Sequence, residues 1–319
     1  MMQEISRARF PDSISKTTIK RRSMNRKKKF SDYRIVSKGD SDYPEKLEKI
    51  KGAPEKLYLR GKLPDPDKKT VAIVGARNAS DYGLTLAKTI ARILSLNDVQ
   101  VISGLAMGID TSGHIGSIEV EKPTFAVLGC GVDICFPSHN SNVYERILEY
   151  GGGIISELEI GMPPLPYNFP LRNRIISGLS DVVIVVEARD KSGSLITADY
   201  ALEQGKTIFA CPGRVGDSLS RGTNNLIKQG AYILTSADDV LEHLGLIVDG
   251  ILPKKEKDIS TLDYFERVIY DTLQKDTLHI DQIVEKAKMP VTKCLNVIMS
   301  LELNGFVETT INNYYRRAE

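Results

Sequence analysis

"VAIVGARNASDYGLTLAKTIARILSLNDVQVISG", residues 71–104, contains one complete repeat unit of the fold. Val71–Val74 is an unbroken apolar run, Tyr82 to Ser95 has helical periodicity, and Val99–Ile102 is apolar again. A run without polar alternation is the pattern of a strand covered on both faces, as in parallel sheets whose crossovers are helices. Comparable runs follow at Phe125–Leu128, Ile154–Ser156, Val182–Val186, Thr207–Ala210 and Ala231–Leu234, with a further helical segment at Thr197 to Gln204. The spacing predicts a doubly wound, mostly parallel, Rossmann-like α/β sheet of about seven strands over residues 71–245.

Upstream, residues 31–70 form a short segment and linker: 43–63 read as a short helix followed by a short strand, and "PDPDKK" as the linker. Residues 1–30 lack apolar periodicity and read as a disordered basic extension, within which Met24 offers an alternative start. Downstream, 246–260 is a linker. Residues 261–319 carry "HIDQIVEKAKM", a turn at Pro290, "VTKCLNVIMSLELNG" and "FVETTINNYYRR", the order of a small winged-helix domain. Val291, Leu295, Ile298 and Leu301 keep the three-to-four spacing expected of its buried helix face.

The net charge of +2 conceals an asymmetry. Residues 1–30 hold ten basic and two acidic side chains, whereas 71–245 hold 13 basic and 19 acidic. An anion site in the central domain therefore requires a local pocket rather than a basic coat. No run of 18 apolar residues exists, so no membrane span is expected. Cys130, Cys135, Cys211 and Cys294 have no CxxC spacing and read as reduced, mostly buried thiols of a cytoplasmic protein without a metal site.

Ligands of open α/β sheets bind beyond the carboxyl ends of the strands. The loops there are "GARNASDYG", "SGLAMGID", "GCGVDICFPSHN", "FPLRNR", "EARDKSGSLIT" and "CPGRVGDSLSRGTNN". They are rich in Gly, Ser and Asn and bring Arg77, Arg172, Arg174, Arg189, Lys191, Arg214 and Arg221 to one edge. Glycine permits close backbone approach, and helix N-termini aim amides at an anion. Arg77, directly after the first strand, is the strongest single candidate. Arg172 and Arg174 lie two positions apart and diverge by about 200° on a helix, so one answers an internal carboxylate, Glu157 or Glu187, and the other faces outward.

Other chemistries fit less well. There is no GxGxxG and no GxxxxGK[ST], so neither a nicotinamide or flavin cofactor nor a P-loop is expected. His114 and His139 read as surface or capping residues, and Asp110, Asp133 and Glu187 serve equally as an acid–base set or as caps and ion-pair partners.

In order, "VAIVGAR" (71–77), "SGLAMGID" (103–110), "AVLGCGVDICFPSHN" (126–140), "SELEIG" (156–161), "FPLRNRIISGLSD" (169–181), "VVEARDKSGSLITADYA" (185–201) and "CPGRVGDSLSRGTNNLIKQGA" (211–231) resemble the DprA/Smf family of DNA-processing proteins. The resemblance runs from about Tyr43 to Gly245, and the tail is similar to the family's winged-helix module. It implies a non-catalytic protein that binds single-stranded DNA, dimerises and loads RecA recombinase in natural transformation. It implies Gly75 and Arg77 as phosphate contacts, with Ser103, Gly104, Gly129, Phe136, Asn140, Arg172, Asn173, Arg174, Ser192, Gly193 and Ser194 as further DNA-binding candidates. Ala231 to Leu244 would form the dimer contact. The seven basic against ten acidic side chains of residues 258–319 point the winged helix toward protein rather than duplex DNA.

The rival class is a nucleotide-binding enzyme or sensor of the related Rossmann-like nucleoside-phosphate hydrolases, which use a PGGxGTxxE motif. Here Tyr200 stands where that motif places its glutamate, removing the expected acid–base group.

Overall fold

In the computed structural model, the described residues are 33–246, 259, 262–273, 277–310 and 313–318. The basic extension 1–30 and most of the 246–260 linker lie outside them. The chain divides into two compact units, Met1–Leu246 and Ile247–Glu319.

Each of the seven apolar runs forms a strand of the first unit. In chain order they are β3 (Thr70–Val74), β4 (Gln100–Ser103), β5 (Thr124–Val127), β6 (Gly153–Ser156), β7 (Val182–Val185), β8 (Thr207–Ala210) and β9 (Tyr232–Ile233). Two more strands precede them, β1 (Arg34–Ser37) and β2 (Lys56–Gly61), with the short helix α1 (Glu45–Glu48) between. The sheet has nine strands in the order β1-β2-β6-β5-β4-β3-β7-β8-β9. β3 to β9 pair in parallel, while β2 runs antiparallel to both β1 and β6.

The two added strands have a physical reason. β2 places Leu57 and Leu59 wholly inside the core, and each such burial contributes about 1.5–3 kcal/mol. β1 buries only Val36, too little apolar signal to be read from four residues.

The helices joining the parallel strands are α2 (Asp81–Leu96), α3 (Ile109–Glu119), α4 (Ser141–Glu149), α5 (Asn168–Gly178), α6 (Gly193–Glu203) and α7 (Arg221–Lys228), followed by α8 (Ala237–His243). From β3 the chain builds outward through β4, β5 and β6, then returns to β7 on the other flank of β3. The connections leaving β3 and β4 on one side and β7 on the other thus diverge, opening a crevice at the carboxyl ends of these strands.

The second unit contains α9 (Tyr264–Leu273), β10 (Leu278–His279), α10 (Ile280–Ala287), α11 (Val291–Leu303), β11 (Val307–Thr309) and β12 (Tyr314–Arg317). Its strands form an antiparallel sheet in the order β10-β12-β11, completing a winged helix. The buried face of α11 differs from the expected one. Cys294, Ile298 and Leu301 enter the core, whereas Val291 and Leu295 are 47% and 41% exposed. Reduced cysteine packs as a small apolar residue, and choosing it fixes the helix phase about 100° away from Leu295.

His114 also departs from its surface reading: it is 0% exposed, inside α3. Thr124 Oγ1 donates to the Val101 carbonyl at 2.8 Å, so His114 Nδ1, 2.8 Å from that oxygen, is its donor. Nε2 is then an acceptor with no partner, and burial drives the imidazole pKa down to about 3. The folded value lies below the unfolded value of about 6.5, so this contribution is complete above pH 6.5 and is withdrawn as pH falls toward 3. Acidification from pH 7 to pH 5 should lower the urea midpoint, with a His114 share of about 1 kcal/mol per pH unit below 6.5. His114→Gln should flatten that slope; an unchanged slope would refute the assignment.

Candidate nucleic-acid interface

The crevice at the carboxyl edge holds a cavity of about 400 Å³. Four segments and Leu219 line it: Val74–Asn78 after β3, Ala106 and Asp110 after β4, Pro166 to Ile176 at the start of α5, and Arg189 to Thr197 after β7. Of the sequence candidates, Gly75, Arg77, Arg172, Asn173, Ser192, Gly193 and Ser194 meet here.

Arg77 is held out by a locked turn. Ala76 N donates to the Glu187 carbonyl at 2.8 Å, and Ile109 N donates to the Ala76 carbonyl at 3.3 Å. Gly108, at φ +80°, packs so closely that a Cβ would sit 2.3 Å from the Ala76 oxygen. Only glycine combines that conformation with that approach. The exposed Arg77 guanidinium lies 5.6 Å from the Phe169 ring centroid. No salt bridge or side-chain hydrogen bond engages Arg77, Arg189 or Lys191 among the described residues. The first turn of α6 adds the positive end of its dipole, with Ser192 as its cap.

Arg172 forms the cavity floor and is 5% exposed. Its Nη1 donates to the Gly104 carbonyl at 2.8 Å and to the Val127 carbonyl, and Nε donates to Asn173 Oδ1 at 3.2 Å. Burial lowers its pKa to about 10, which leaves it cationic at neutral pH. Asp110 accepts from the Gly104 and Ala106 amides, and burial raises its carboxyl above the usual range, opposed by Arg172 and those amides.

Arg174 takes the opposite direction. Its guanidinium makes a two-point pair with Glu157 at 2.8 and 2.6 Å and donates to the Gly52 carbonyl at 2.9 Å. It is outside the cavity lining and fastens α5 to the N-terminal segment. The anion expected beside these arginines is thus Glu157 for Arg174, whereas Arg172 is answered mainly by carbonyl oxygens. Both sit in the second turn of α5.

Ser103, Gly104, Gly129, Phe136 and Asn140 also lie outside the lining. Ser103 Oγ donates to the Ile73 carbonyl, and Asn140 Nδ2 donates to the Leu105 carbonyl and to Thr111. A Cβ on Gly104 would strike the Arg172 guanidinium at 2.6 Å, and one on Gly129 the Phe169 ring at 2.9 Å. Phe136 packs on Phe169 with centroids 5.6 Å apart. Gly104, Gly129 and Phe136 thus pack against the lining residues Arg172 and Phe169, whereas Ser103 and Asn140 are bonded to residues outside the lining. Arg189 and Lys191, absent from the short candidate set, are the cations the cavity adds; their signal was a position directly after β7 and before the "SGS" turn.

Of the carboxylates that could have formed an acid–base set, Asp110, Asp133 and Glu187, each is committed to the backbone or to a cap. Asp133 accepts from Gly161 N at 2.9 Å, and Glu187 accepts from Ser80 N at 2.9 Å and from its hydroxyl.

Fold and cavity define a Rossmann-like α/β protein with an unneutralised cationic pocket at its switch point and a separate winged helix. The chain belongs to the DNA recombination-mediator protein A family, the DprA/Smf DNA-processing proteins. That family's model matches residues 34–245, and the model of the DprA winged helix domain matches 253–310. Protein Smf of Escherichia coli is 34% identical over 289 residues, covering 89% of this chain and 77% of that protein. DNA processing protein DprA of Streptococcus pneumoniae is 40% identical over 219 residues, 67% of this chain and 75% of that protein. The crystal structure of the pneumococcal protein superposes with a TM-score of 0.61 at 38% identity, covering 69% of this chain and 77% of that one. DNA processing protein A of Helicobacter pylori, solved to explain a single-stranded DNA binding mode, gives a TM-score of 0.60 at 31% identity, covering 66% and 95%.

Arg174→Ala should cost about 1–3 kcal/mol in urea unfolding, between the ranges for exposed and buried pairs. A double-mutant cycle with Glu157→Ala should return most of that loss as coupling. Additive losses would show that the pair is not coupled. Gly104→Ala should displace the Arg172 guanidinium and lower thermal stability by several degrees.

Proposed function

We propose that the chain binds single-stranded DNA without catalysis, self-associates, and delivers the strand to a RecA-type recombinase in the cytoplasm. The observation that carries this reading is the trio Arg77, Arg189 and Lys191, unpaired around a cavity whose floor is itself a cation. In a domain with a surplus of acidic side chains, unneutralised cations facing one cavity favour an anionic ligand. A phosphate seated on the α6 N-terminus would meet amides and guanidinium together. The H. pylori relative supports a single strand as its carrier.

The committed carboxylates support a binding role over hydrolysis, as does Tyr200 in place of a glutamate. Self-association rests on the edge strand β9, where Tyr232 and Ile233 are exposed beside α8. Two pockets on one strand would raise avidity beyond either alone. Recombinase delivery rests on family membership.

Titration with single- and double-stranded oligonucleotides across salt tests the reading. Single strands should bind more tightly, and log K should fall with log[salt] at a slope of about −2 for three phosphate contacts per pocket. Arg77→Ala should weaken binding at least tenfold and shallow the slope by about 0.7. Equal affinity for both forms, or an unaffected Arg77→Ala variant, would refute it; free base released from a nucleoside monophosphate would instead establish an enzyme.

A further inference from the structure

A second cavity of about 390 Å³ lies across the Lys191–Gly193 turn from the first, between α6 and α7. The two share Lys191, Ser192, Gly193 and Ile196, so one ridge of chain is the wall of both. Their chemistry is opposed. The first is ringed by cations, whereas the second presents the carboxylates of Asp190 and Asp199 and the carboxamides of Asn225 and Gln229 over an apolar base of Leu195 and Leu226.

Asp190 is engaged, 3.6 Å from the Arg221 guanidinium and 3.4 Å from Asn225 Nδ2. Asp199 and Gln229 make no side-chain hydrogen bond or ion pair among the described residues. Carboxylates beside a phosphate pocket disfavour a second phosphate there, and together with the Gln229 carboxamide, which can accept or donate, they suit a neutral ligand bearing N–H donors. An apolar base of two leucines suits the face of a ring.

We infer that this second cavity seats a nucleobase of the strand whose phosphate occupies the first, and that it favours bases bearing an exocyclic amine. The inference rests on the single-stranded DNA reading above. The backbone crosses at Lys191, whose ammonium serves the phosphate, while the attached base turns away from the cations onto Leu195 and Leu226. The amines of cytosine and adenine donate to Asp199 and to the Gln229 carbonyl oxygen; thymine offers a carbonyl oxygen at the same place and meets the carboxylate unfavourably. The site thereby adds a modest base preference to a grip dominated by phosphates.

The test compares hexamers of dC, dA and dT with an abasic hexamer of the same charge, using the full chain. Wild type should bind the dC and dA hexamers several-fold more tightly than the dT hexamer, and the abasic one most weakly. The double variant Asp199→Ala/Gln229→Ala, at two exposed positions, should bring dC and dA down to the dT level with abasic binding unchanged. Asn225→Trp, which fills the cavity, should bring all three down to the abasic level. Arg77→Ala should weaken all four together. Wild-type base preference in both cavity variants, with Arg77→Ala still weak, overturns the inference and leaves the function standing; an unaffected Arg77→Ala variant overturns the function itself. A cavity variant that changes only oligomeric state by light scattering assigns the cavity to protein contact and also overturns the inference.

Discussion

The buried guanidinium of Arg172 is the constraint on which the carboxyl edge of the sheet depends. It joins the carbonyl of Gly104, just past β4, to that of Val127 at the end of β5, and its own helix is α5. A cation removed from water costs several kcal/mol unless its donors are used. Here main-chain carbonyl oxygens at the ends of two strands take that role. The same arrangement dictates residue 104, since any side chain there would occupy the guanidinium's place. One residue thus closes the open end of the sheet and gives the cavity a positive floor.

The floor sets the ends of β4 and β5; the walls come from β3 and β7. The turn carrying Arg77 is fixed between the Glu187 carbonyl and the N-terminus of α3, while Glu187 caps α2 through Ser80. Acidic groups are therefore spent on holding loops, and basic ones are left to face the cavity. That division explains how a domain with more acidic than basic side chains presents a concentrated positive site. Across the Lys191–Gly193 turn the rule reverses, and unengaged acceptors face the neighbouring cavity. The proposed single strand, with its alternating charged and hydrogen-bonding parts, would match such a pair better than a free anion.

Much of this was legible in the chain. The seven apolar runs named their strands because parallel strands are covered on both faces and leave no alternation to confuse. β1 was not legible, since its order comes from pairing with β2 rather than from its own four residues. The winged helix was legible as a pattern, but the phase of α11 was not: Leu295 and Cys294 compete for the same face, and packing chose the cysteine. His114 misled for the same reason, because burial of an imidazole depends on one hydroxyl, Thr124, from a strand ten residues away.

Taken alone, the sequence determined the fold class, the edge of the sheet at which chemistry would lie, and the loops that would gather there. Local periodicity and turn chemistry encode those, so they need no distant partner. Tertiary structure decided which charges remain available. Arg172 and Arg174 differ by two positions and by nothing in kind, yet one meets carbonyls under the cavity and the other meets Glu157 behind it. Which partner each finds depends on strands brought together across the chain, and spacing along a helix fixes only that the two must part.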